Sequence, residues 1–164
     1  MSSLLGTTRL LLLCAAVAAC SRNRPATSLT QGEDVIGTRW NATLSTPEEM
    51  RGVVQVQGNA YATPVDEGRR TRLDITVSNM VPGGRHPWVL RTGQCGYGGS
   101  EVVRMGDTNV LQIGRDGRGG ASHTMNSQLQ MTGQYFIAAM ASNDNGDRMI
   151  ACGNLAPPAS GVSR

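Results

Sequence analysis

"TRLDITVSNM", residues 71–80, decides the fold class of this chain because apolar and polar side chains alternate strictly along it. In an extended segment Leu73, Ile75 and Val77 would point to one side, and the polar residues between them to the other. A period of two is typical of a strand in an antiparallel sheet with one buried face and one solvated face. We therefore predict a half-buried strand here.

Similar short runs recur along the chain, separated by segments rich in Gly, Asn and Pro. We predict strands in "RWNATL" (39–44), "GVVQVQGNAYAT" (52–63), "HPWVLRT" (86–92), "SEVVRM" (100–105), "NVLQIG" (109–114), "GASHTMN" (120–126), "QYFIAAMAS" (134–142) and "RMIACGNL" (148–155). None of these segments carries a helical period of 3.6 residues. Twenty-one glycines and many short strands indicate one all-β domain, an antiparallel sandwich or barrel, over residues 36–155.

The first nineteen residues have the character of an export signal. Arg9 precedes an apolar run of ten residues, "LLLLCAAVAA" (10–19), which is too short to span a bilayer. The run continues into "VAAC" (17–20), which resembles the lipobox of bacterial lipoproteins. This resemblance implies cleavage before Cys20, a lipid on its sulfur and a membrane anchor, and Ser21 implies the periplasmic side of the outer membrane. An ordinary signal peptide followed by a chance Cys is the alternative.

The segments that flank the domain are polar and aperiodic. We predict a flexible tether over residues 20–35 and a disordered tail over residues 156–164. After loss of the signal, fourteen arginines stand against twelve acids, and no basic run is present. This balance argues against a nucleic-acid partner.

Cysteine usage favours one disulfide. Cys14 would leave with the signal and Cys20 would carry lipid, so Cys95 and Cys152 remain in an oxidising compartment. A bond between them would close a loop of nearly sixty residues and stabilise the fold by about 4 kcal/mol in the chain-entropy model. Two buried free thiols are the alternative.

Four segments, "NMVPGGRHPW" (79–88), "GQCGYGG" (93–99), "GQYFIAAMAS" (133–142) and "MIACGNL" (149–155), occur in a particular order. Together they resemble the copper/zinc superoxide dismutase family, especially its bacterial lipoprotein-like members, over about residues 39–155. The resemblance implies an eight-stranded Greek-key β-barrel and the same Cys95–Cys152 bridge. It also implies structural roles for four residues: His86, Trp88, Gly96 and Gly153.

The ligand positions of that family are altered in this chain. The copper-binding histidines of the family fall on Val89, Arg91 and Met140. The segment between Gly96 and Gly120, where the family holds zinc, offers Asp107 and Asp116 but no His, and His123 stands apart. Arg148 lies near the position of the family's active-site Arg, with one residue too many before Cys152.

This residue set cannot build a copper site of the dismutase type. Copper(II) prefers several imidazoles, and the chain has two His in all. The guanidinium of Arg91 has no lone pair to donate, and at about 4 Å and an effective dielectric of 20 it would oppose a divalent ion by roughly 8 kcal/mol. We predict no catalytic residue, no metal and no cofactor, and a pocket that is packed or bridged by Arg91 to an acid or a carbonyl.

The sequence thus favours a lipid-anchored envelope protein with a structural or interaction role and an unidentified envelope protein as partner. One alternative is a copper(I)-binding protein, since thioethers can hold copper(I). Its candidate ligands are Met140, Met105, Met125, Met131 and Met149. A superoxide dismutase with atypical ligands is the other alternative.

Overall fold

The computed structural model describes residues 38–52, 55–105, 109–142 and 148–159. The predicted signal, the whole of the predicted tether with Cys20, and Asp107 lie outside the described residues. Within the described ranges, no helix has the length and apolar character needed to cross a membrane.

The all-β prediction is confirmed. The described residues form one curled half-barrel sheet of ten antiparallel strands, with one turn of 3-10 helix at Glu48–Met50. The strands are β1 (Trp40–Ser45), β2 (Gln57–Val65), β3 (Arg70–Ser78), β4 (Arg85–His86), β5 (Trp88–Thr92), β6 (Glu101–Met105), β7 (Leu111–Ile113), β8 (Gly119–Met125), β9 (Tyr135–Met140) and β10 (Met149–Asn154).

The order of the strands makes the sheet curl. Read across the sheet, it is β4-β7-β8-β3-β2-β1-β10-β9-β5-β6, so β4 and β5 lie towards opposite ends. In the chain these two strands are separated by Pro87 alone. Because Pro has no N–H to give to a ladder, it interrupts the predicted strand 86–92. The two ends of the sheet therefore meet at Pro87, whose carbonyl accepts a hydrogen bond from Met140 N at 2.8 Å.

The concave side of the sheet holds the main core. Alternate residues of β1, β3 and β5 point inward, as the period of two in "TRLDITVSNM" predicts. The largest of these side chains are fully buried, as is Ile137 on β9: Leu44, Leu73, Ile75, Trp88 and Leu90. Full burial stabilises the folded state by about 1.5–3 kcal/mol for each large apolar side chain.

The second predicted strand begins later than expected, at Gln57 rather than at residue 52. Val56 is buried, but its N–H donates to the hydroxyl of Thr46 at 2.7 Å instead of to a neighbouring strand. A local side-chain acceptor thus replaces the ladder at this point. At the other end of the domain, Ala156 makes two backbone hydrogen bonds with Asn41, of 2.8 and 3.1 Å.

A Gly153→Ala substitution tests the close packing of β10 against β1. A Cβ at Gly153 would collide with the backbone carbonyl of Thr43, which cannot move without opening the sheet. We expect a loss of about 1–3 kcal/mol in the free energy of unfolding in urea. Gly120→Ala is the matched control, because its Cβ would be in ordinary contact, 3.4 Å from Ile75 O. Equal stability of the two variants would contradict this packing.

Candidate functional site

The three positions that the resemblance assigns to copper lie on the outer side of the sheet, away from the main core. On β5, Trp88 and Leu90 point inward, so Val89 and Arg91 point outward. Met140, on the neighbouring strand β9, belongs to the same outer group as Val89. The structure therefore brings Val89 and Met140 together and places Arg91 one step further along the same face.

A second, smaller apolar cluster fills this outer site. It consists of Val89, Phe136, Ala138, Met140 and Cys152, which are all at most 1% exposed. Ala138 sits between Val89 on β5 and Cys152 on β10, as the paired residue of both. The side chains of this cluster supply no nitrogen or oxygen donor. At Val89 and Met140 the site is packed with apolar side chains, and Arg91 lies outside the cluster.

A disulfide covers the outer cluster. The predicted pairing is confirmed: Cys95 is bonded to Cys152, with 5.7 Å between their Cα atoms. The backbone N–H of Cys95 donates to Asn154 Oδ1 at 2.7 Å, which fixes the 93–99 loop to the end of β10. Gly96 follows with a φ of 87°, a conformation that favours glycine. The disulfide and this hydrogen bond together hold the loop at the outer cluster, against which Cys95 packs.

Arg91 lies at the edge of the outer cluster. Its paired residues are Phe136 on β9 and Glu101 on β6. Glu101 nevertheless pairs with Arg104, whose Nη2 and Nε lie 2.8 and 2.9 Å from its carboxylate. Arg91 Nε is buried and makes no hydrogen bond within the part of the chain that the structure describes. A bridge from Nε to an acid or a carbonyl, the other predicted arrangement, is therefore not found among those residues.

His86 ties the end of β4 to the end of β9. Its Nδ1 lies 3.1 Å from Met140 O and 2.9 Å from Ala141 O. Both partners are acceptors, so Nδ1 must carry the proton. The other ring nitrogen, Nε2, is buried without a hydrogen-bond partner among the described residues, and a Cβ at Gly84 would lie 2.6 Å from it. The contacts of Nδ1 attach the end of β4 to the end of β9.

The remaining polar candidates lie apart from the outer cluster. His123 is on β8, where its Nδ1 lies 3.3 Å from Asn109 Nδ2. Trp88 donates its indole N–H to Asn109 O at 2.7 Å. Asp116 is in the turn between β7 and β8, where it accepts a hydrogen bond from the N–H of Arg118. Among the described residues, no group of three or more His, Cys, Asp or Glu side chains is arranged to hold a metal ion.

The methionines divide into separate groups. Met140 and Met149 are paired residues on β9 and β10, and both pack in the outer cluster. Met105 and Met125 belong to the main core, while Met131 is 54% exposed elsewhere. Of the five candidate copper(I) ligands, only Met140 and Met149 therefore lie next to each other.

The structure adds Met50, which the sequence does not single out. Its sulfur accepts hydrogen bonds from Arg148 Nη2 and Nε at 3.1 and 3.3 Å. Met50, Arg148 and Met149 line a cavity of about 350 Å³. Met50 and Arg148 are far apart in the chain, and neither carries a periodic pattern that would relate them.

Comparison with known proteins leaves the family open. No protein-family model matches the chain, and no curated protein matches it. The assignment to a family therefore depends on the four segments quoted above and on the geometry of the outer cluster.

Replacing both Cys95 and Cys152 by Ala tests the role of the disulfide. We expect the free energy of unfolding to fall by about 4 kcal/mol, since the bond closes a loop across 57 residues of sequence. Urea unfolding of the double variant and of the oxidised unaltered protein measures this difference, and the unaltered protein under dithiothreitol is the control. If reduction leaves the midpoint unchanged, the bond does not hold the outer cluster closed.

Proposed function

We propose that this chain is a lipid-anchored protein of the bacterial cell envelope whose domain has the copper/zinc superoxide dismutase fold without its metals. Its role is non-catalytic, as a structural or interaction domain. The anchor is a lipid on Cys20, the location is the periplasmic side of the outer membrane, and the partner is another envelope protein. One observation carries the proposal: Val89 and Met140 are completely buried in an apolar cluster beneath a disulfide.

The strand order supports a Greek-key barrel. The connection after β3 does not lead to a neighbouring strand, because β8 and β7 lie between β3 and β4. Such a crossover, with a return of β8 beside β3, is one feature of a Greek key, although β5 and β6 separate β4 from β7 in the chain. The continuity of β4 and β5 through Pro87 supports closure of the barrel at this point.

The relative positions of the three altered residues support the family assignment. Two residues on β5 that are separated by one, Val89 and Arg91, share an outward face, and Met140 on β9 lies diagonally across from Val89. Diagonal neighbours such as Val89 and Met140 are within reach of a common ion when their side chains are long enough, whereas Arg91 pairs with Phe136 and lies on the far side of Val89 from Met140. In this chain Val89 is aliphatic, Arg91 is cationic and Met140 is fully enclosed. On this proposal, the protein's own side chains fill the place that a copper would take.

Restoring imidazoles tests the assignment directly. Protein purified from medium with copper and zinc should contain far less than one equivalent of either metal and should not consume superoxide. The triple variant Val89→His, Arg91→His, Met140→His should gain copper affinity, because three nitrogen donors then share one face. The control variant places the same three His at exposed positions on elements that are not paired with one another: Glu49, Val102 and Thr124. Stoichiometric copper and superoxide consumption in the unaltered protein would overturn the proposal.

A second candidate function is copper(I) binding through thioethers. The pairing of Met140 with Met149 favours it, as does the cavity that Met149 shares with Met50. The two N–H groups that Arg148 directs at Met50 Sδ oppose it, since they engage the sulfur and bring a positive charge.

Anaerobic titration with copper(I) separates the two functions. If the domain is non-catalytic and binds no copper(I), the unaltered protein and a Met140→Leu, Met149→Leu double variant should have equally low affinity for copper(I). A copper(I)-binding protein would lose affinity in the double variant and keep it in Met131→Leu, whose side chain is exposed elsewhere. The two leucines conserve volume and should leave stability almost unchanged.

A further inference from the structure

A broad trough crosses the outer face of the sheet where β1, β2, β3 and β8 lie side by side. It has a volume of about 880 Å³ and shares no residue with the outer cluster. Two rows of paired residues form its floor. One row contains Thr43, Asn59, Thr76 and Gly120, and the other contains Ser45, Gln57 and Ser78. The turn before β8 forms one wall.

The exposed side chains of the trough are hydroxyls and amides. Leu44 and Val77 also line it, but their side chains are buried on the opposite face and only their backbone contributes. The amides of Gln57 and Asn59 each offer donors and an acceptor. Within the described residues, neither amide makes a side-chain hydrogen bond with the protein. These groups are therefore available to a ligand.

The charges of the trough are balanced. One acid and one base, Asp116 and Arg118, stand on its wall, and every other lining residue is neutral. Asp116 Oδ1 accepts a hydrogen bond from Arg118 N at 3.1 Å. A surface without net charge does not select an ionic polymer. Hydroxyls and amides with carbon atoms exposed between them suit a neutral ligand that presents both hydroxyl groups and apolar C–H faces.

The trough is held in shape before any ligand binds. Its floor belongs to four hydrogen-bonded strands, and a Cβ at Gly58 would collide with Thr76 O, so the strands pack as closely there as the backbone allows. Its wall is attached to the chain before β4 by a hydrogen bond of 3.0 Å from Met80 N to Gly117 O. A preformed surface loses little conformational entropy on binding.

From this chemistry we infer that the trough is a binding site for a neutral oligosaccharide. The amides of Gln57 and Asn59 and the hydroxyls of Thr43 and Ser45 donate to and accept from the sugar hydroxyls. The width of four strands, roughly 14 Å at the usual spacing, accommodates a chain of sugars rather than one ring. The inference is independent of the metal question and of the lipid anchor.

Titration with chitotetraose, followed by amide NMR shifts, tests the site. We expect the N–H signals of Gly58, Gly119 and Gly120 to shift and those of the outer cluster to stay in place. Replacing Gln57 and Asn59 by Ala should raise the dissociation constant about tenfold, because one to two hydrogen bonds to the sugar are lost.

A variant that fills the trough provides the matched control. Gly120→Tyr projects a ring into the trough, whereas Thr124→Tyr places the same ring on the same face of β8 outside it. The first should abolish the shifts and the second should leave them unchanged. Far-UV circular dichroism of both variants reports whether the fold is retained.

Three results would overturn the inference. The first is the absence of shifts with both chitotetraose and cellotetraose at millimolar concentration. The second is a response of the trough to sodium sulfate alone, which would indicate a site for anions at Arg118. The third is a dependence of the same shifts on protein concentration without sugar, which would indicate that a second copy of the chain covers this face.

Discussion

Strand β9 is buried on both of its faces, and this constraint organises the rest of the structure. Every residue of Phe136–Met140 has no measurable exposure. Ile137 and Ala139 pack into the main core, while Phe136, Ala138 and Met140 pack outward. A strand of this kind needs a second layer, because an outward apolar row would otherwise face water. The disulfide-linked loop after β5 provides that layer.

The outer layer explains why the proposed loss of metals is compatible with a stable fold. A metal site needs donors that converge on a space, and such donors are costly to bury when no ion is present. Val89 and Met140 instead contribute apolar surface at the same positions. The disulfide closes the site covalently. Arg91 remains at the edge, with a buried Nε that has no hydrogen-bond partner in the described ranges.

Much of the fold could be predicted from periodicity. The strand around residues 71–80 and the run "QYFIAAMAS" lie within about two residues of β3 and β9. Periodicity did not predict the break at Pro87 or the late start of β2. At Pro87 the missing N–H ends a run of strand-like residues. Before β2, the hydroxyl of Thr46 takes the N–H of Val56 that a neighbouring strand would otherwise accept. For Val89, Arg91 and Met140, which the resemblance assigns to copper, the sequence predicted only that the pocket is either packed or bridged by Arg91.

The all-β class, the positions of most strands and the pairing of Cys95 with Cys152 could be predicted from the amino-acid sequence. These depend on local alternation and on the number of available thiols, which are properties of composition and order. The folded chain was needed to show that Val89 and Met140 share one apolar cluster and that Arg148 contacts Met50. It was also needed to show that Thr43, Asn59 and Thr76 align across three strands. Such contacts depend on strand register and order, and a shift of one residue would turn each of these side chains to the other face.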